Sequence, residues 1–271
     1  MKKLPYLLVL SGLISVPAFA DAPAAAPAPE YTLTANVGIV SQYIYRGITQ
    51  TARNPAIQGG FDFAHSNGFY IGTWGSSISW VSDNFKAMGA TEASAGMEWD
   101  IYGGYKGKAG PLDFDVGALQ YYYPGRYDLA GTTGMVKPNT TEIYGALSKD
   151  WLSFKASYVV SNGLFGVDKA DGSYYLDLSA NYPIVDTWTL NAHVGYQKYT
   201  GTACSGCSSN DSLYTYTDWK LGVTKDLGSG WSALGYYSDT NAKDAGYQIA
   251  GVNGGRNLGK GMFVVGVSRS F

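Results

Sequence analysis

Apolar and polar residues alternate with a period of two along most of this chain. Leu33, Ala35, Val37, Ile39, Tyr43 and Tyr45 alternate with Thr34, Asn36, Gly38, Gln42 and Arg46. Ala93, Ala95, Met97, Trp99 and Ile101 alternate with Glu92, Ser94, Gly96, Glu98 and Asp100. The segments 152–160, 174–182 and 188–197 repeat the pattern. Period-2 alternation is the mark of β-strands with two unlike faces. It predicts twelve strands, at 32–46, 55–65, 69–81, 91–106, 111–124, 139–149, 151–162, 172–183, 187–199, 213–226, 230–239 and 261–271. No long segment carries a helical period, and residues 244–252 read as an extension of a hairpin or of the eleventh strand.

The connections sort by length. Short turns, such as His65–Gly68, Lys149-Asp150 and Leu227–Ser229, alternate with long loops at 47–54, 82–90, 125–138, 163–171, 200–212 and 240–260. That alternation predicts an all-β fold, a closed antiparallel transmembrane β-barrel of 12 strands. Its short turns would be periplasmic and its longer loops extracellular. A closed barrel leaves no unpaired edge in hydrocarbon. A soluble barrel has the same periodicity turned inside out, and alternation does not separate the two. Tyr43, Tyr45, Tyr121 to Tyr123, Trp151, Trp188 and Trp231 fall at strand ends, as the aromatic girdles of a membrane barrel would. The last strand ends on Phe271, and a terminal aromatic of this kind resembles the C-terminal signature of outer-membrane barrels. Arg269, if it points outward, is expected near the interface, where a long side chain reaches water.

The N-terminus adds an export signal. Lys2 and Lys3 precede an apolar run from Leu4 to Val16, and Ala18-Phe19-Ala20 forms a cleavage-like site. Residues 1–20 are read as a signal peptide, 21–30 as a Pro/Ala-rich linker and 31–271 as the barrel. Composition agrees. Charged residues make up 15%, against about 25% in an ordinary soluble domain. Aromatics are also 15%, which excludes a disordered chain. A net charge of −2 argues against nucleic acid as a partner. Cys204 and Cys207 sit three residues apart in a Ser/Gly-rich connection and are read as a small disulfide loop.

Tyr45-Arg46-Gly47, Pro55–Asp62, Gly68–Ser76 and Glu98–Tyr105 together resemble the TorF-like porin family of proteobacteria. The resemblance is densest between residues 36 and 105. It implies an outer-membrane barrel acting as a channel. It brings no established substrate and no residue of defined chemical role.

If the apolar parity faces lipid, the polar parity lines a lumen. Its bases would be Arg46, Lys106, Lys155 and Lys220. Its acids would be Asp62, Glu92, Glu98, Asp100, Asp113, Asp115, Glu142, Asp177 and Asp218. This excess of acids predicts a mild cation preference. Glu98 and Asp100, two apart on one face, are read as an acidic constriction or as one side of a salt-bridge ladder to Arg46 or Lys155. His193 is read as a lumen-lining hydrogen-bonding residue. An outer-membrane hydrolase would need a base such as His193 and a serine nearby, and none is adjacent to it on its own strand. No catalytic, cofactor or metal pattern is found. The expected function is passive diffusion of small hydrophilic solutes or ions through a narrow lumen in the outer membrane. The alternative is a closed structural or binding barrel whose loops engage a surface partner. The expected partners are outer-membrane lipids and, during insertion, the barrel-assembly machinery; oligomerisation is left open.

Overall fold

A computed structural model describes residues 29–88, 94–127 and 135–271. The proposed signal peptide, most of the linker and Glu92 lie outside the described residues. Twelve antiparallel strands close into a barrel. In chain order the strands are β1 (Tyr31–Val40), β2 (Ile44–Tyr45), β3 (Ile48–Thr49), β4 (Ala56–His65), β5 (Phe69–Ser77), β6 (Met97–Ala109) and β7 (Leu112–Tyr122). They continue with β8 (Thr140–Lys149), β9 (Leu152–Val159), β10 (Tyr174–Val185), β11 (Trp188–Lys198), β12 (Tyr216–Gly228), β13 (Trp231–Thr240) and β14 (Met262–Ser270). All but β2 and β3 belong to the barrel wall. Each strand pairs with its sequence neighbour, and β1 closes the ring by pairing with both β4 and β14. Asn36 stands opposite Ser270 at that seam.

The barrel settles which parity faces out. Large apolar side chains cover the exterior: Phe61 is 61% exposed, Ile71 58% and Val265 49%. Between them, Gln58, Glu98, Asp115, Glu142, Asn191 and Asp218 are buried inside. A soluble barrel would show the reverse. The exterior instead matches the apolar band of a membrane barrel. Trp151, Trp188, Trp231 and Tyr122 lie on the exterior near strand ends, as girdle residues do. Arg269 lies on the outward parity of β14, its guanidinium 5.5 Å from the Trp231 ring and 4.6 Å from the Phe271 ring. There the stem covers apolar surface at the short-turn rim.

Three sequence expectations give way. The first strand stops at Val40 rather than 46, and Tyr43, Tyr45, Tyr121 and Tyr123 point inward, not into a girdle. The third strand stops at Ser77, and Trp80–Ala87 forms a helix, α1. Its buried side chains are Trp80, Val81 and Phe85, with Asp83 in the first turn and Lys86 in the last, where they complement the helix dipole. Two turns are too short to leave a readable period. Finally, residues 244–252 extend no strand. Asp244–Tyr247 is a short helix (α3), followed by a 3₁₀ turn at Asn253–Gly255, while Asn210–Tyr214 forms α2 in the preceding long loop.

Cys204 and Cys207 are joined by a disulfide. So short a loop restricts the unfolded chain little. Replacing both cysteines by serine should therefore cost less than about 2 kcal/mol of unfolding free energy, measured by urea titration in detergent. A larger loss would show that the bridge holds more than its own loop.

Candidate functional site

The site begins with a turn. Between β1 and β4 the chain does not pass over the rim but folds into the barrel. The strands β2 and β3 form a miniature hairpin there, Ile44 opposite Thr49 and Tyr45 opposite Ile48. Its two-residue tip is Arg46-Gly47, with φ of 46° and 76°. Positive φ at both central residues is the type I′ hairpin geometry, which glycine accepts freely and arginine does not. A Cβ on Gly47 would also sit 2.6 Å from Asp218 Cβ, so only glycine lets the tip approach the wall. The hairpin is moored on several sides. Ser41 N–H donates to Val265 O (2.8 Å), Thr49 N–H to Leu258 O (3.0 Å), and the N–H groups of Ser79 and Trp80 both donate to Gln50 O.

The tip carries Arg46 across the lumen. Its Nη1 donates to Glu142 Oε1 (3.0 Å) and Gln197 Oε1 (2.8 Å), and its Nη2 to Glu142 Oε2 (2.8 Å). The guanidinium also stacks 4.2 Å from the Tyr175 ring centre and 4.9 Å from Tyr45. Tyr216 Oη donates to the Arg46 carbonyl at 2.8 Å. One loop residue thus joins β8, β10, β11 and β12. The ion pair is bidentate and nearly dry, its side chains 6% and 1% exposed. Planar fork-to-carboxylate pairing of this kind fixes geometry as well as charge.

Around this crossing the long-loop half of the barrel is filled. Glu98 accepts from Tyr43 Oη and Tyr123 Oη, both at 2.7 Å. Tyr45 and Tyr121 share a hydroxyl hydrogen bond. Phe165 packs edge-on against both rings, at 5.8 and 5.1 Å. The expected ladder from Glu98 and Asp100 to Arg46 or Lys155 does not form: Arg46 takes Glu142 instead. Asp100 lies between Trp74 and Tyr121 in register, 4% exposed, with its Oδ1 unpaired.

The short-turn half is a polar wall. Tyr70 Oη donates to Asp115 (2.6 Å) and also hydrogen-bonds to the Tyr144 hydroxyl. Tyr102 Oη donates to Asp62 (2.6 Å). Lys106, Lys155 and Lys220 lie over the rings of Tyr70, Tyr144 and Tyr236. Lys106 Nζ is 3.9 Å from Asp115, and Lys155 stands opposite Asp177 in register. Asp113 pairs with Lys108 near the turn.

His193 is clasped between Asp177 Oδ2 at Nδ1 (3.1 Å) and Asp218 Oδ1 at Nε2 (2.8 Å). Tyr175 Oη and Ser179 Oγ complete the group, at 3.0 and 3.2 Å. Gly195, between the two acids' strands, makes room: a Cβ there would lie 2.6 Å from Asp218 Oδ2. The neighbouring strand does supply a serine, which the sequence of β11 alone hid. Its hydroxyl donates to Asp177 (2.6 Å), however, and both imidazole nitrogens face carboxylates. That arrangement ties both ring nitrogens to carboxylates; it does not aim a free base at a nucleophile.

Above the crossing, at the long-loop mouth, lies a cavity of about 370 Å³. Its wall joins the hairpin, α1 and the loops around Phe165, Tyr214 and Tyr247. Tyr199, Tyr214, Tyr247 and Tyr216 form a run of rings, with successive centroids 5.3, 6.0 and 5.2 Å apart. Burial pushes the Tyr214 and Tyr247 hydroxyls above the ordinary tyrosine range, so both are neutral. Tyr247 Oη donates to Tyr214 O at 2.7 Å. Among the described residues, no group of three or more His, Cys, Asp or Glu side chains is arranged to hold a metal ion.

A family model described as "Bacterial protein of unknown function (Gcw_chp)" matches residues 24–271. The chain belongs to this family. No curated protein matches the sequence. Among solved structures, the chain is similar to the KdgM porin, with 11% identity and TM-score 0.49, over 88% of this chain and 99% of that one. It is similar to the NanC porin at 14% identity and TM-score 0.49, over 88% and 99%. An outer membrane channel from Pseudomonas putida F1 matches at 14% identity and TM-score 0.46, over 93% and 100%.

Proposed function

We propose that this Gcw_chp protein is an outer-membrane channel for passive diffusion of small hydrophilic solutes or ions. One observation carries the reading: a closed barrel whose exterior is apolar and whose interior is polar and charged. Only a bilayer satisfies such an exterior, and a polar interior gives a crossing solute partners in place of water. The signal-like N-terminus, the terminal Phe271 and the resemblance of Tyr45-Arg46-Gly47 and its neighbours to TorF-like porins support export and insertion by the barrel-assembly machinery. In this reading both termini and the short turns are periplasmic and the long loops face outward. The Arg46 crossing narrows the lumen in the described conformation.

The inward acids Asp62, Glu98, Asp100, Asp115, Glu142, Asp177 and Asp218 outnumber the inward bases Arg46, Lys106, Lys155 and Lys220, which favours cations. A salt gradient across a planar bilayer tests this. The reversal potential should lie on the cation side and move toward zero when Asp62 and Asp177 are both changed to asparagine. An anion-side potential would refute the charge assignment. The filled long-loop half favours one second reading, a closed barrel that binds a partner through its loops. Protein that inserts yet stays silent even without Arg46 would select it.

A further inference from the structure

We propose that the mouth cavity binds a neutral, ring-bearing solute carrying a hydroxyl or carbonyl oxygen. Its ring would lie on the tyrosine wall and its oxygen would accept from Arg46. The proposal concerns binding alone and stands whether or not the barrel conducts. A silent bilayer would defeat the channel reading and leave this one untouched.

Size and lining come first. About 370 Å³ falls within the range of small-molecule sites, which are mostly apolar with a few placed polar groups. Here the apolar part is aromatic, with Trp80, Phe165, Tyr214 and Tyr247 presenting ring surface alongside Ile48 and Leu258. Flat rings pack on such surfaces by offset or edge-on contact, which favours a planar or ring-shaped guest over a flexible chain.

The polar part is equally selective. Most wall groups are already satisfied within the wall. Tyr216 Oη is taken by the Arg46 carbonyl, Tyr247 Oη by Tyr214 O, and the Gln197 amide by Arg46 and two backbone carbonyls. Arg46 is different. Its three hydrogen bonds use part of a fork with five N–H donors, so N–H groups remain for a guest. They call for an acceptor oxygen.

Charge decides the rest. Among the described residues, Arg46 is the one charged residue lining the cavity, and Glu142 already neutralises it. An anionic guest would meet a spent cation with Glu142 directly behind it. A cationic guest would meet a guanidinium. The anion does not recover the hydration it gives up in an aromatic cavity, and the attraction of the cation to the ring faces is opposed by the Arg46 guanidinium at the polar end. A neutral guest loses far less and keeps its oxygen satisfied.

The test uses the refolded full barrel in nanodiscs and a matched probe series: 4-methoxybenzyl alcohol, 4-methoxybenzoate and 4-methoxybenzyltrimethylammonium. Binding is read by calorimetry against protein-free nanodiscs. The alcohol should bind at least tenfold more tightly than either ion. Ala87→Trp and Ala250→Trp, which place bulk at the cavity wall, should each weaken it at least tenfold. The heat-modifiable gel shift of a folded barrel checks each variant, and either one suffices if the other misfolds. Equal or tighter binding of an ion, no saturable binding of the alcohol, or alcohol binding undiminished in the folded variants would overturn the proposal.

Discussion

Arg46→Gly is expected to open the lumen and to destabilise the barrel at once. Glycine keeps the left-handed turn at φ 46° and removes the whole arginine side chain, guanidinium included. Glu142, 1% exposed, then holds a charge with no cation beside it. Breaking a buried pair from one side costs about 3–5 kcal/mol. Relief of the strained arginine backbone returns about 1–2 kcal/mol. The loss exceeds the relief, so urea unfolding should shift to lower denaturant. Adding Glu142→Gln removes the stranded charge and should recover most of the stability without restoring the crossing. The two variants therefore separate stability from gating: both should conduct more than the parent, and only the single variant should be fragile. Equal conductance in parent and variants, with both folded, would show that the crossing does not occlude the path.

Phe61→Arg should block insertion where an inward substitution does not. Phe61 lies mid-strand on the outside of β4, between the inward Gly60 and Asp62. A charged side chain at the bilayer midplane of such a barrel costs about 2–4 kcal/mol. Asp62→Asn, one residue along and on the other face, leaves the exterior unchanged. The folded fraction after refolding into liposomes should fall sharply for Phe61→Arg and stay near the parent for Asp62→Asn. Equal yields from both would mean that β4 does not present Phe61 to lipid.

Much of this architecture is legible along the chain, because a strand writes its two faces into alternate residues. Leu178 and Val194 outside, Asp177 and His193 inside, follow from parity alone. Parity does not say which face meets water, and closure of the barrel was needed to decide it. The mouth was far less legible. Tyr43 and Tyr45 continue the alternation of β1 but belong to a hairpin that turns inward, since alternation does not record where a strand stops. The one local sign was Arg46-Gly47, a two-residue turn whose glycine takes positive φ. The partners of Arg46 were out of reach for a different reason. Glu142 and Gln197 lie 96 and 151 residues away and meet it only across the lumen. Likewise Ser179 joins His193 through register between strands, not through sequence spacing on one strand.

Solute flux through the inserted protein reads the channel itself. Liposomes carrying the refolded barrel would be placed in isotonic arabinose and their swelling followed by light scattering. A channel gives swelling above that of protein-free liposomes, slow for the parent and faster for Arg46→Gly. Swelling no faster than in empty liposomes for both, with folding and insertion verified, would contradict a channel.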